Sequence, residues 1–167
     1  MKIIWTKSKL PLSWLIRWGL NEPCSHVALV FGRHVLHSNL VGVNMAWLKT
    51  FQSSVTIVHE FEIEMDLSDE DEIWTAIMDE FDGRSYDWWA FLYFIWHGFL
   101  WKAFKKPFPK TAGRYDTKNS FLCTEMVAVL KSKVPWFSPG LEIDYAITSP
   151  EKLYQAINKE FESQPKI

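Results

Sequence analysis

Cys123, His26 and His37 are the residues whose types and spacing invite covalent chemistry. Cys123 stands in "NSFLCTEMVAVLKS" (119–132). Asn119 or Ser120 can cap a helix there, and Leu122, Met126, Val129 and Leu130 recur at helical spacing. The cysteine then falls in the first turn, where free N–H groups and the helix dipole both favour a thiolate. An inert buried cysteine fits the same position, and a nearby base separates the two readings. The histidines flank "GR" (32–33). A two-residue turn over Gly32-Arg33 pairs Phe31 with His34, Ala28 with His37 and His26 with Asn39. Residues paired directly, or two apart, share a face of the sheet, so His26 and His37 become diagonal neighbours, with small Ala28 leaving room opposite His37. A three-residue turn would send His37 to the other face. In the first register the chain has a thiol, an imidazole to deprotonate it and a second polar group to orient that imidazole. This set suits acyl transfer through a thioester, with helix-start N–H groups to stabilise an oxyanion.

The elements that must position these groups are legible in part. "KIIWT" (2–6) reads as a strand, and "LSWLIRWGL" (12–20) as a helix after Pro11, ended by Gly19 and Asn21. "SHVALVF" (25–31) and "HVLHS" (34–38) form the hairpin. "VGVNM" (41–45) adds a strand and "AWLKTF" a short helix. "SSVTIVHEFEIEM" (53–65) alternates most clearly and is the best strand in the chain. "SDEDEIWTAIMDEFDG" (68–83) is a helix with Ser68 as cap, acids in its first turn and Gly83 as its stop. Helices follow over about 86–104 and 120–132. The last, in "TSPEKLYQAINKEF" (148–161), has Ser149 as cap and Pro150 at its first position. The basic loop "KKPFPKTAGRYDTK" (105–118) is the nearest thing to a linker. Strands early and helices late predict an α+β domain with an antiparallel sheet.

The 167 residues suit a single domain, 1–167, with a core of its own. A net charge of -2 gives no reason to expect nucleic acid as a partner. Two cysteines, Cys24 and Cys123, make no disulfide framework. The opening "MKIIWTKSKLPLSWLIRWGL" is broken by Lys7, Lys9, Pro11 and Arg17 and is no convincing export signal, so a reduced, cytoplasmic site of synthesis is expected. Aromatic residues make up 16% of the chain, a load that belongs either to the core or to a surface for apolar partners.

In its order of elements the chain resembles the circularly permuted papain-like hydrolases, the YiiX-like peptidases and lecithin retinol acyltransferase-like enzymes related to NlpC-type cell-wall peptidases. "LPLSWLIRWGLNEPCSHVALVFG" resembles their helix and Ser-His-Val strand, and "VLHSNLVGV" the next strand with its polar third member. "DGRSYDWWAFLYF" resembles the Tyr-Asp entry to a helix, "FLCTEMVAVL" the nucleophile helix and "ITSPEKLYQA" the closing helix. The resemblance implies a permuted papain-like fold and a cysteine peptidase or amidase without a cofactor. It implies Cys123 as nucleophile, His26 as base and His37 as the orienting residue, although many relatives carry a carboxylate in that third place. Relatives divide between amide hydrolysis on peptides, including peptidoglycan fragments, and acyl transfer or hydrolysis on lipids. The missing export signal weighs against a secreted wall enzyme, although phage-type proteins reach the wall by other routes.

Two rivals stand beside this reading. Cys24 and His26 form a C-x-H pair on one strand face, which His37 and Cys123 would complete as a Cys2His2 zinc shell, although the spacing matches no compact zinc module. The stretch "WWAFLYFIWHGFLWKAF" (88–104) reads first as a helix buried in a small domain, then as one facing lipid, with peripheral membrane contact through 88–106, and last as a true span. His97 reads as a satisfied or surface histidine. His34 and His59 have no assigned role. Glu125 and the "SDEDE" run are most simply first-turn acids.

Overall fold

The computed structural model describes residues 1–39, 41–81, 85–86, 88–105, 120–121, 123–127, 130 and 148–163. Strands β1 (Lys2–Ser8), β2 (His26–Phe31), β3 (His34–Asn39), β4 (Gly42–Trp47) and β5 (Val55–Glu62) form one antiparallel sheet, in the order β4-β3-β2-β1-β5. Helices α1 (Pro11–Leu20), α2 (Leu48–Ser54), α3 (Leu67–Phe81), α4 (Trp88–Phe104) and α5 (Pro150–Ser163) join them, and β6 (Ser85–Tyr86) pairs in parallel with β7 (Ser120–Phe121). The architecture is α+β.

Period-two side chains sort the sheet into two faces. Ile3, Trp5, Val27, Leu29 and Leu36 belong to the larger core, which Ile73 and Ile77 of α3, Met126 and Leu130, and Leu153 and Ile157 of α5 close. Ile4, Ala28, Val30 and Val35 face the other way, where Phe51 of α2 covers them. The hairpin has the expected two-residue turn. Phe31 pairs with His34 and Ala28 with His37. Gly32, at φ +52°, supplies the positive φ that the first turn position of a type II′ hairpin requires.

Several boundaries differ from the sequence reading. Of the two residues expected to end α1, Asn21 does so, in the left-handed region at φ 58°, with the Glu22 N–H donating to the Arg17 carbonyl at 3.1 Å. Gly19 is instead buried inside the helix. Ser68 lies within α3, whose first turn closes through Glu70 N–H on the Asp66 carbonyl at 3.0 Å. Ser53 and Ser54 belong to α2, and β5 starts at Val55. The cap on α5 is as expected, with the Ser149 hydroxyl accepting from Lys152 N–H at 3.4 Å and Pro150 opening the helix. The loop expected over 105–118, apart from Lys105, and the Gly83 stop lie outside the described residues.

The expectation of a buried aromatic helix is overturned. Along α4, Trp89, Leu92, Trp96 and Phe99 are exposed, and Gly98 is buried. A helix apolar on every side has no periodicity to announce its outer face. Among the described residues no helix is long and apolar enough to cross a membrane.

Candidate functional site

The segment carrying Cys123 departs from the expected helix start. Ser120 and Phe121 are β7, Cys123 and Thr124 form a turn, and helical structure begins at Glu125. Cys123 thus sits between strand and helix rather than inside a first turn. The position still gathers donors. The N–H groups of Val27, Cys123 and Thr124 hydrogen-bond the sulfur and favour the thiolate. Burial is the larger influence and, with a small contribution from Glu125, pushes the thiol up to about 11. At neutral pH the isolated Cys123 is a thiol.

Val27 explains how this sulfur reaches the histidines. The β2–β3 ladder runs from Phe31/His34 to Ala28/His37, and the N–H of the next β2 residue, Val27, is directed at the Cys123 sulfur. His26 is one residue further. Across the hairpin its ring meets that of His37 edge to face, with centroids 5.6 Å apart and planes at 88°. Phe51 packs on His37 at 4.9 Å and on His26 at 6.5 Å. The diagonal pairing expected from the hairpin register is therefore present.

His26, His37 and Cys123 line one cavity of about 630 Å³. Leu10, Leu12 and Ile16, from α1 and the residue before it, supply apolar wall, and Ser13 and Ser25 a polar patch, their hydroxyls 2.6 Å apart. Thr6 pairs with His26 across β1–β2 and shares its face. Thr6 Oγ1 and His26 Nε2 are both buried without a hydrogen-bond partner among the described residues. Burial, reinforced by the neighbouring His37, lowers His26 to about 3; burial lowers His37 as well. Both imidazoles are therefore neutral acceptors near pH 7.

The proposed zinc shell does not assemble. Cys24 precedes β2 and is buried in the larger core, where its thiol lies 3.5 Å from Glu151 Oε2. The same oxygen lies 3.0 Å from His59 Nε2, and His59 stacks on Tyr154 with centroids 3.8 Å apart. Among the described residues no group of three or more His, Cys, Asp or Glu is arranged to hold a metal ion. His59, which had no assigned role, thus joins β5 to α5. His34 stacks on Trp47 at 4.6 Å, and His97 lies against Tyr93 at 4.3 Å.

Sequence reasoning did not find Thr6, Ser13, Ser25 or Phe51. Thr6 carried a detectable signal, since any strand pairing that places it opposite His26 puts its hydroxyl on the same face. Compared with protein-family models, with curated proteins and with solved structures, the chain matches none.

Proposed function

We propose that the protein is a thiol-dependent hydrolase of permuted papain-like type. Cys123 is the nucleophile, His26 the general base and His37 the residue that orients it, and the bond cut is an amide in a peptide or cell-wall peptide. The observation that carries this reading is one cavity lined by a thiol ringed with N–H donors and by two neutral imidazoles in edge contact.

In this reading His26 takes the thiol proton as sulfur attacks the carbonyl carbon. Burial opposes either charge alone, but thiolate and imidazolium form together and attract each other strongly in the same low-dielectric surroundings. The carbonyl oxygen becomes an oxyanion within reach of backbone donors beside the sulfur. Imidazolium then protonates the departing amine, and a thioester remains on Cys123. Water activated by neutral His26 hydrolyses it, releasing the acid and restoring the thiol.

A second reading, acyl transfer or hydrolysis on an acyl lipid, is favoured by the apolar wall formed by Leu10, Leu12 and Ile16. Turnover on peptidoglycan-derived peptides and on acyl lipids discriminates the two. With whichever substrate reacts, His26→Ala should lose roughly 10²–10⁴-fold in kcat/KM. His37→Ala should lose less, and the double variant should be little worse than His26→Ala, because an orienting group has nothing left to orient. Multiplicative losses would remove His37 from that role, and a fully active Cys123→Ala variant would end the proposal.

A further inference from the structure

The surface made by α1 and the outer side of α4 has no part in the chemistry proposed for the cavity. The helices touch through small residues: a Cβ built on Gly98 would lie 3.1 Å from the Gly19 carbonyl oxygen. That contact occupies one side of α4 and leaves Trp89, Leu92, Trp96 and Phe99 outside. Their spacings of three, four and three residues put them on a single helix face. Trp89 is 67% and Trp96 58% exposed.

Lys102 joins this stripe to α1. Its ammonium donates to the Trp18 carbonyl at 2.9 Å and lies 4.2 Å from the centre of the Trp18 ring. Trp18 in turn stacks on Trp14, itself 57% exposed, with centroids 6.1 Å apart. The aromatic surface therefore continues from one helix to the other. Leu10, exposed just before α1, also lines the cavity and brings the surface to the cavity rim.

Charge is segregated on the same two segments. Residues 7–20 and 88–105 contain Lys7, Lys9, Arg17, Lys102 and Lys105 and no Asp or Glu, in a chain whose net charge is -2. Glu22, just beyond α1, is turned to the Ser149 hydroxyl at 2.5 Å. From this segregation we infer that the α1–α4 face docks on an anionic phospholipid bilayer, with α4 lying in the interfacial plane. Tryptophan is at home between headgroup and acyl chain, and the flanking lysines meet anionic headgroups. A second copy across a two-fold axis would set these cations against their own equivalents. A span is too short, since the 17 residues of α4 rise roughly 26 Å against a hydrocarbon core of about 30 Å.

The test uses full-length Cys123→Ser protein, so that docking is read without turnover, and sedimentation with vesicles of phosphatidylcholine alone or mixed with phosphatidylserine. Binding is expected to the mixed vesicles and to weaken with added salt. Lys9→Glu/Lys105→Glu should lower the partition coefficient roughly 10-fold or more. Trp96→Ser/Phe99→Ser should lower it with near-ultraviolet circular dichroism otherwise preserved. Failure to bind mixed vesicles, or equal binding to neutral ones, overturns the inference. So does a concentration-dependent dimer that Trp96→Ser dissociates, because a second copy would then cover the face. None of these outcomes bears on the thiol site.

Discussion

The two cysteines share a chemistry and occupy opposite fields. Cys123 has three backbone N–H groups directed at its sulfur and lines a cavity with two imidazoles. Cys24 is fully buried, and the polar atom beside it is a carboxylate oxygen of Glu151, which also faces His59. Burial and then Glu151 push the Cys24 thiol strongly up. Burial raises both thiols, but the immediate polar partners pull one toward the anion and press the other toward the neutral form. Reactivity here depends on which end of a dipole faces the sulfur.

The sharpest way to break this contrast is by substitution. Cys123→Ser should cost on the order of 10³-fold or more in turnover, because serine is a far weaker nucleophile beside a base this hard to protonate. Cys24→Ala should leave kcat/KM within about twofold and lower stability by about 1–2 kcal/mol, through a small cavity and a lost donor to Glu151. Chemical denaturation and steady-state kinetics on the two variants separate these outcomes. Loss of turnover in a folded Cys24→Ala protein would reverse the assignment.

Alkylation measures the same contrast without a substrate. Iodoacetamide should modify Cys123 in the native protein and leave Cys24 untouched. Its rate should climb about tenfold per pH unit toward the thiol's value near 11, because thiolate is the reacting species. Peptide mass spectrometry after timed quenching gives both rates. A plateau below pH 8 would mean that the thiolate already exists there, paired with an imidazolium of the same cavity, and would overturn the high thiol value.

The histidine beside Cys123 offers a thermodynamic test of the same buried environment. Folded His26 resists protonation down to about pH 3, whereas the unfolded residue takes a proton below about 6.5. The unfolded state binds the extra proton in that window, so stability falls as pH falls through it, by up to about 1.4 kcal/mol per pH unit from this one group. Denaturant titrations between pH 7 and 4 should show the slope in the native sequence and a shallower one in His26→Gln. Equal slopes would place the effect elsewhere.

The smallest effect concerns the helix crossing. Gly98→Ala should change stability by less than about 1 kcal/mol, since helix propensity gained offsets the close approach to Gly19. Gly98→Leu should cost about 1–3 kcal/mol by overpacking against backbone. Thermal unfolding of the pair checks both.

What was legible in the sequence was local. The Gly32-Arg33 turn fixed which residues pair, and the shared face of His26 and His37 followed from period two alone. Ser149-Pro150 marked the start of α5 for equally local reasons. Other features depend on distant partners. Ser120 looked like a helix cap because the pairing of Ser120-Phe121 with Ser85-Tyr86 is parallel, two residues long and tertiary. Cys24 and Glu151 meet across 127 residues, and His59 and Glu151 across 92, so no spacing rule would have joined them. The outer face of α4 was hidden because every side of that helix is apolar.

The hydrogen bond from Val27 to the Cys123 sulfur has a consequence for hydrogen exchange. This amide belongs to a strand, yet its acceptor is the atom that chemistry would consume. Any group placed on the sulfur, by a reagent or by a substrate, replaces the thiol proton, rules out the thiolate that the amide favours and crowds the contact, so the amide proton should exchange more readily with solvent. The β2 residues Ala28, Leu29 and Val30, paired with strands on both sides, keep their protection. Val27 should therefore act as a clock within the sheet, running slowly while the thiol is free and quickly once it is capped.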